Sequence, residues 1–167
     1  TKDHYAYIAG YPDGTVQPNG NITRAEVATI FFRLFTEEYR NTFWSVSAPF
    51  TDVEATDWFN TEVATVASAG VVNGYPDGTF LPNNNITRAE FATIAARFLS
   101  EEYVGPDLFT DVSGHWAQEY INRAANAGWI NGYPDGSFHP DAYITRAEAM
   151  TLVNNMLGRM PHEDHLL

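Results

Sequence analysis

The chain of 167 residues carries nine Lys and Arg against 21 Asp and Glu, a formal charge of −12. That balance argues against nucleic acid and against docking on anionic lipid, since both need a basic face. Apolar content of 44% and aromatic content of 14% predict a packed core, the absence of cysteine removes disulfides and thiolate metal sites, and no apolar run approaches the roughly 20 residues of a membrane span.

In chain order, the first feature is a seventeen-residue cassette, Gly10-Tyr-Pro-Asp-Gly-Thr-Val-Gln-Pro-Asn-Gly-Asn-Ile-Thr-Arg-Ala-Glu26. It returns as Gly74 to Glu90 and as Gly132 to Glu148, with eleven of the seventeen positions identical throughout. A chain that repeats one unit repeats one structural solution. Within the cassette, Pro-Asp-Gly is a turn: Pro presets φ, Asp favours the bend and Gly accepts positive φ. Thr23-Arg-Ala-Glu26 opens a helix through a capping box. Val27, Ile30, Phe31 and Leu34 form its buried stripe, matched by Phe91, Ile94, Ala95 and Phe98 and by Ala149, Leu152, Val153 and Met156.

A stretch from Asn41 to Ala48 reads as a longer surface loop. Phe50-Thr-Asp-Val53 follows, then a helix over Trp58 to Ser68 with Phe59, Val63, Val66 and Ala67 on one face. The same segment recurs as Phe109-Thr-Asp-Val112 and a helix over Trp116 to Asn126, with Trp116, Tyr120, Ala124 and Ala127 on a face. Gly70 and Gly128 stand where left-handed C-terminal caps belong. Repeat boundaries are therefore placed at 1–49 (incomplete, plus linker), 50–108, and 109–167 with its tail. No Phe-Thr-Asp-Val segment or first helix fits into Thr1 to Ala9, so the boundaries cut out of register with the repeat and the parent protein is expected to continue on both sides. Fewer than three complete grooves are expected.

Phe-x-Asp-Val, an aromatic-led helix, Gly-Tyr-Pro-Asp-Gly-Thr-Phe-x-Pro and Ile-Thr-Arg-Ala-Glu, in this order and at near-constant spacing, resemble the S-layer homology (SLH) repeat family over nearly the whole chain. The resemblance implies an all-α module with a pseudo-threefold central three-helix bundle and helix-loop-helix prongs. It implies a non-catalytic module at the extracellular bacterial cell surface, in the cell wall or S-layer, that needs no cofactor. The implied partner is secondary cell wall polysaccharide, bound in grooves through a pyruvate ketal on terminal N-acetylmannosamine. Carried over by motif, the groove arginines are Arg24, Arg88 and Arg146. The Phe-x-Asp-Val aspartates are Asp52 and Asp111, and the cap glycines are Gly70 and Gly128.

Each assignment has a plainer reading beside it. An arginine at a helix start sits where free amides and the helix dipole favour anions, and its planar fork fits a carboxylate; it can equally pair with a nearby Asp or Glu and prop the fold. Asp52 and Asp111 can accept from sugar hydroxyls or cap the following helix, with Ser113 competing at the second. Trp58 and Trp116 can stack on a sugar or fill the core, and their helical face favours the core. Tyr11, Tyr75 and Tyr133 read as packing residues, and Glu26, Glu90 and Glu148 as caps. Trp129 replaces Val71, which predicts different groove walls in the second and third copies.

The alternatives are a protein-protein or self-assembly module of a surface layer and a calcium-binding structural module. The Asp-Gly-Thr-Phe-x-Pro-Asn stretch is rich in oxygen ligands but lacks the spacing of a helix-loop-helix calcium loop. His162-Glu-Asp-His165 reads as a polar tail, so no metal ligand is assigned. No nucleophile elbow or metal cluster supports an enzyme, and no membrane insertion is expected.

Overall fold

A computed structural model describes residues 10–159; the His162-to-His165 tail and Tyr5 to Ala9 lie outside them. Within that span the chain forms six helices, α1 (Arg24–Leu34), α2 (Glu37–Phe43), α3 (Asn60–Ser68), α4 (Arg88–Ala96), α5 (Gln118–Asn126) and α6 (Arg146–Arg159), with isolated β-bridges such as Thr87 to Tyr143 and no extended strand. The architecture is all-α, as the repeats predict. The chain divides into two compact units, one ending at Asn84 and the other beginning at Asn85.

In the first unit α1 packs against α3, and α2 also touches α3. In the second α4 packs against α5. The capping boxes form as expected: Thr23 accepts from the Glu26 amide while Glu26 accepts from the Thr23 amide, and Thr87 with Glu90 and Thr145 with Glu148 do the same. Behind them, Val27, Ile30, Phe31 and Leu34 are buried, as are Phe91, Ile94, Ala95, Ala149, Leu152, Val153 and Met156. Phe98 is only half-buried because α4 stops at Ala96.

Gly70 and Gly128 adopt φ of +74° and +75°. The Gly70 amide donates to the Ala67 carbonyl at 2.9 Å and the Val71 amide to Val66 at 3.0 Å. Gly128 and Trp129 repeat this with Ala125 and Ala124. This is the double hydrogen bond of a left-handed helix stop, and it satisfies carbonyls that the helix leaves open.

Three local expectations are corrected. α3 and α5 begin at Asn60 and Gln118, two residues later than predicted, because tight turns precede them: Asn60 donates to Asp57 and Gln118 to His115, both at 3.0 Å. The buried faces are consequently Phe59, Val63 and Val66, and Ala117, Ile121 and Ala124. Trp58 and Trp116 lie before the helices and are 65% and 62% exposed, so the core reading of both is wrong; Tyr120 and Ala127 are only half-buried. Adjacent aromatic and apolar residues at a helix start cannot be ranked by periodicity alone, because the register depends on where the helix begins. Finally, Asn41 to Phe43 is the last turn of α2 rather than loop. Thr36 caps that helix from its side chain, and Arg40 reaches back to the Phe32 and Phe35 carbonyls at 3.1 and 3.0 Å, supporting the C-terminal end of α1.

Candidate functional site

The cassette turn is built the same way each time. In the second copy Tyr75 donates to the Thr79 carbonyl at 2.8 Å, Gly78 donates back to Tyr75 at 3.0 Å, and Asp77 accepts from both the amide and hydroxyl of Thr79. Asp13 with Thr15 and Asp135 with Ser137 repeat the bond pair. Each of these exposed aspartates has its pKa lowered, chiefly by the Thr or Ser side-chain hydrogen bond. The oxygen-rich stretch is thus engaged in turn chemistry, and the described residues hold no group of three or more His, Cys, Asp or Glu placed to share a metal ion.

Against this turn lies the Phe-Thr-Asp segment of the same repeat. Phe50 stacks on Phe80 with ring centroids 5.1 Å apart, and Phe109 packs on Phe138 at 5.1 Å. Thr51 donates to the Gly78 carbonyl and Thr110 to Gly136, each at 3.0 Å. Asp52 accepts the amides of Phe80 at 2.7 Å and Leu81 at 2.8 Å; Asp111 accepts those of Phe138 at 2.8 Å and His139 at 2.9 Å. Burial pushes the Asp111 pKa up, but the two amides outweigh it and the net shift is downward. The capping reading of these aspartates is therefore corrected: α3 and α5 have Phe59 and Ala117 at their N-caps, with no side-chain cap bond. The aspartates instead clamp Leu81 and His139, which with Gln17 are, among the described residues, the non-glycine residues at positive φ, +54°, +57° and +49°. Such conformations cost on the order of 1–3 kcal/mol and persist where the surroundings over-determine them.

The arginines that open α1 and α4 are each inserted into the turn of the following cassette. Arg24 donates from Nε to the Phe80 carbonyl at 2.7 Å and from Nη2 to Asn73 at 3.0 Å. Arg88 donates to Phe138 at 2.7 Å and Asn131 at 3.1 Å, and its Nη1 pairs with Glu148. Each guanidinium also rests against two rings, Arg24 on Tyr75 and Phe80 at 4.7 and 4.8 Å, Arg88 on Tyr133 and Phe138 at 4.9 and 4.7 Å. Tyr75 and Tyr133, read as packing residues, do pack against the guanidinium groups and are still 38% and 39% exposed. Arg24, Arg88 and Arg146 are 8%, 5% and 2% exposed. Burial pushes the Arg88 pKa down, with Tyr133 and Asp111 opposing; a guanidinium stays charged regardless.

The starts of α1 and α4 are themselves not free anion sites. Arg24 and Ala25 donate their amides to the Asn84 and Pro82 carbonyls, both at 2.9 Å, and Arg88 and Ala89 donate to Ala142 and Pro140 at 2.8 and 2.9 Å. With the capping box, the amides that open α1 and α4 are already used. Any anion recognition there belongs to side chains.

In the second unit these elements enclose a cleft of about 280 Å³ whose lining includes Arg88, Trp129, Asn131, Tyr133, Glu148 and Asn155. Three of the five guanidinium N–H groups of Arg88 are committed to Phe138, Asn131 and Glu148. Trp129 is 2% exposed and forms part of the cleft wall; Val71 holds the equivalent position in the first unit. Asp111, Gly128 and Trp116 are not part of that lining; Asp111 and Gly128 position the backbone that is. His115 and Asp141, which sequence reasoning passed over, pair at 2.8 Å beside Trp116, with the Ala117 amide on the imidazole Nδ1 at 3.1 Å.

A buried arginine held by the next repeat's turn, in two successive copies, defines a tandem repeat module with interlocked neighbours. The S-layer homology domain profile matches residues 5–28, 49–92 and 108–150, and the chain belongs to that family. It is 43% identical over 95% of its length to "Cell surface glycoprotein 1" of Acetivibrio thermocellus and 41% identical over 96% to the "Cellulosome-anchoring protein" of the same organism. It is also 32% identical over 91% to an "Amylopullulanase" of Thermoanaerobacterium thermosulfurigenes. The chain spans 7%, 37% and 8% of the lengths of those three proteins. The family and these relatives place the chain at the extracellular bacterial surface.

Proposed function

We propose that this chain is a non-catalytic anchoring module that holds its parent protein to the bacterial cell wall by binding secondary cell wall polysaccharide. The observation that supports it is Arg88, a nearly buried cation at the wall of a cleft that also offers Trp129, Tyr133 and polar Asn131 and Asn155. Aromatic faces with a few fixed polar groups suit a sugar, and a guanidinium fork suits the carboxylate of a pyruvylated N-acetylmannosamine terminus. Arg24, Asn73, Tyr75 and Asp52 repeat the arrangement in the first unit. Arg146 is the third candidate, and exposed Trp58 and Trp116 are candidate stacking surfaces at the periphery. Linked sites on a multivalent wall would raise the effective affinity by about 10²–10⁴ when they engage together. The name "Cellulosome-anchoring protein" of one relative accords with this reading, and the small share of the amylopullulanase that the chain matches accords with a module separate from catalysis.

Co-sedimentation with purified wall sacculi, before and after mild acid removal of pyruvate ketals, tests the proposal. Loss of binding after removal is expected. Equal binding before and after would point to another feature of the glycan, and no binding to intact sacculi would overturn the reading. Self-association measured by light scattering without glycan would favour the assembly alternative.

A further inference from the structure

The cleft of the second unit has two chemically different ends. One face of α6 supplies Glu148, Thr151, Leu152 and Asn155 to its lining, the i, i+3, i+4, i+7 spacing that sets side chains in one row. Glu148 opens the row and pairs with Arg88, so the cation and the Tyr133 ring against it mark that end. Asn155 closes the row two turns later, about 10 Å along the helix axis. Leu152, one turn back on α6, and Trp129 are buried side chains of the wall there.

The Asn155 side chain is held in one orientation. Its Nδ2 donates to the Trp129 carbonyl at 3.2 Å. A carbonyl only accepts, so this bond fixes which way round the amide sits. Oδ1 and the second N–H take no partner among the described residues, and Asn155 is only half-buried. A fixed amide that offers one acceptor and one donor beside an apolar wall complements a group with an N–H, a carbonyl and a methyl, which is an acetamido group. A hydroxyl in its place would leave part of the amide unmatched and the apolar wall uncovered. Resting on the glycan-binding reading above, we infer that Asn155 is a specificity-determining residue that selects a sugar bearing an acetamido group. The acetyl methyl lies on Leu152 and Trp129, and Arg88 takes the carboxylate at the other end. The separation of the two ends suits one sugar ring with a substituent on each side. This selection is particular to the third cassette: nine residues past the helix-opening arginine, where it has Asn155, the first two have Arg33 and Arg97. A guanidinium only donates and cannot accept from an acetamido N–H.

The test is an NMR titration of the intact chain with pyruvylated N-acetylmannosamine and with pyruvylated mannose, which has a hydroxyl in place of the acetamido group. The Trp129 indole N–H is followed because Trp129 belongs to this cleft. The acetamido sugar is expected to bind there about tenfold or more tighter than the hydroxyl sugar. Asn155→Ala should bring the two affinities together by weakening the acetamido sugar alone, whereas Arg88→Lys should weaken both and preserve their ratio. Contacts of the acetyl methyl with Leu152, seen as nuclear Overhauser effects in the unsubstituted chain, check the placement without any variant; contacts with Tyr133 instead would overturn it. Equal affinities in the unsubstituted chain, an unchanged ratio in Asn155→Ala, or no binding at Trp129 would overturn this inference and leave the glycan reading standing. No binding of either sugar anywhere on the chain would overturn both.

Discussion

Arg88 donates its Nε–H to the carbonyl of Phe138, fifty residues further along the chain, at 2.7 Å. Arg24 makes the corresponding bond to Phe80 at the same distance. The Arg24 and Arg88 sites are therefore each assembled from two cassettes, the arginine of one and the turn of the next, and the candidate recognition surface and the joint between repeats share a side chain.

That sharing makes Arg88→Lys informative. An ammonium is a point charge that cannot serve two carbonyls and a carboxylate in the geometry of a planar fork. Calorimetry is expected to show pyruvylated glycan affinity falling at least tenfold, with a stability loss of about 1–3 kcal/mol from carbonyls left without their donor. Arg88→Ala should destabilise further, because Glu148 loses its buried partner. Unchanged glycan affinity in the lysine variant would remove the carboxylate fork from the mechanism.

The repeated glycines separate backbone strain from steric contact. A Cβ at Gly128 meets nothing within 4 Å, so Gly128→Ala should cost only the left-handed conformation, about 1 kcal/mol in chemical denaturation. A Cβ at Gly132 would stand 2.4 Å from the Phe109 ring and 2.5 Å from the Ser137 carbonyl. Gly132→Ala must push the Phe-Thr-Asp segment off the turn, and a loss of about 2 kcal/mol or more is expected. The pair Gly70→Ala and Gly74→Ala should follow the same order.

Trp116→Ala removes a ring that the fold leaves outside. Its effect on the melting midpoint should be small, below about 1 kcal/mol, in contrast to the roughly 3–5 kcal/mol typical of a buried tryptophan such as Trp129. A drop in sacculus binding without a drop in stability would identify Trp116 as a stacking surface.

Acid stability follows from the turn carboxylates. Asp13, Asp77, Asp111 and Asp135 all have folded pKa values below the ordinary 3.8. Their contribution is present above that value and lost as pH falls through the lower folded values. Urea melts should therefore show stability level near neutrality and declining below about pH 4, and Asp111→Asn should flatten part of that decline.

Much of this molecule is legible without coordinates. The capping boxes, the Pro-Asp-Gly turns, the left-handed glycines and the buried stripes behind Thr23, Thr87 and Thr145 depend on residues within a few positions of one another. Local sequence therefore specifies them, and repetition confirms the reading. The candidate arginines were legible for the same reason, as the one charged residue repeated in all three cassettes that neither turn nor cap requires. What only the tertiary structure decided is long-range pairing. Asp52 and Asp111 turn from prospective helix caps into clamps because their acceptors lie beside amides some 28 residues away. Trp58 and Trp116 turn outward because preceding turns delay the helix by two residues. The amides that open α1 and α4 are taken by carbonyls of the next cassette. Periodicity reports which side of an element is apolar; which partner a polar group finds is settled only when distant segments meet, since every buried donor and acceptor must then be satisfied.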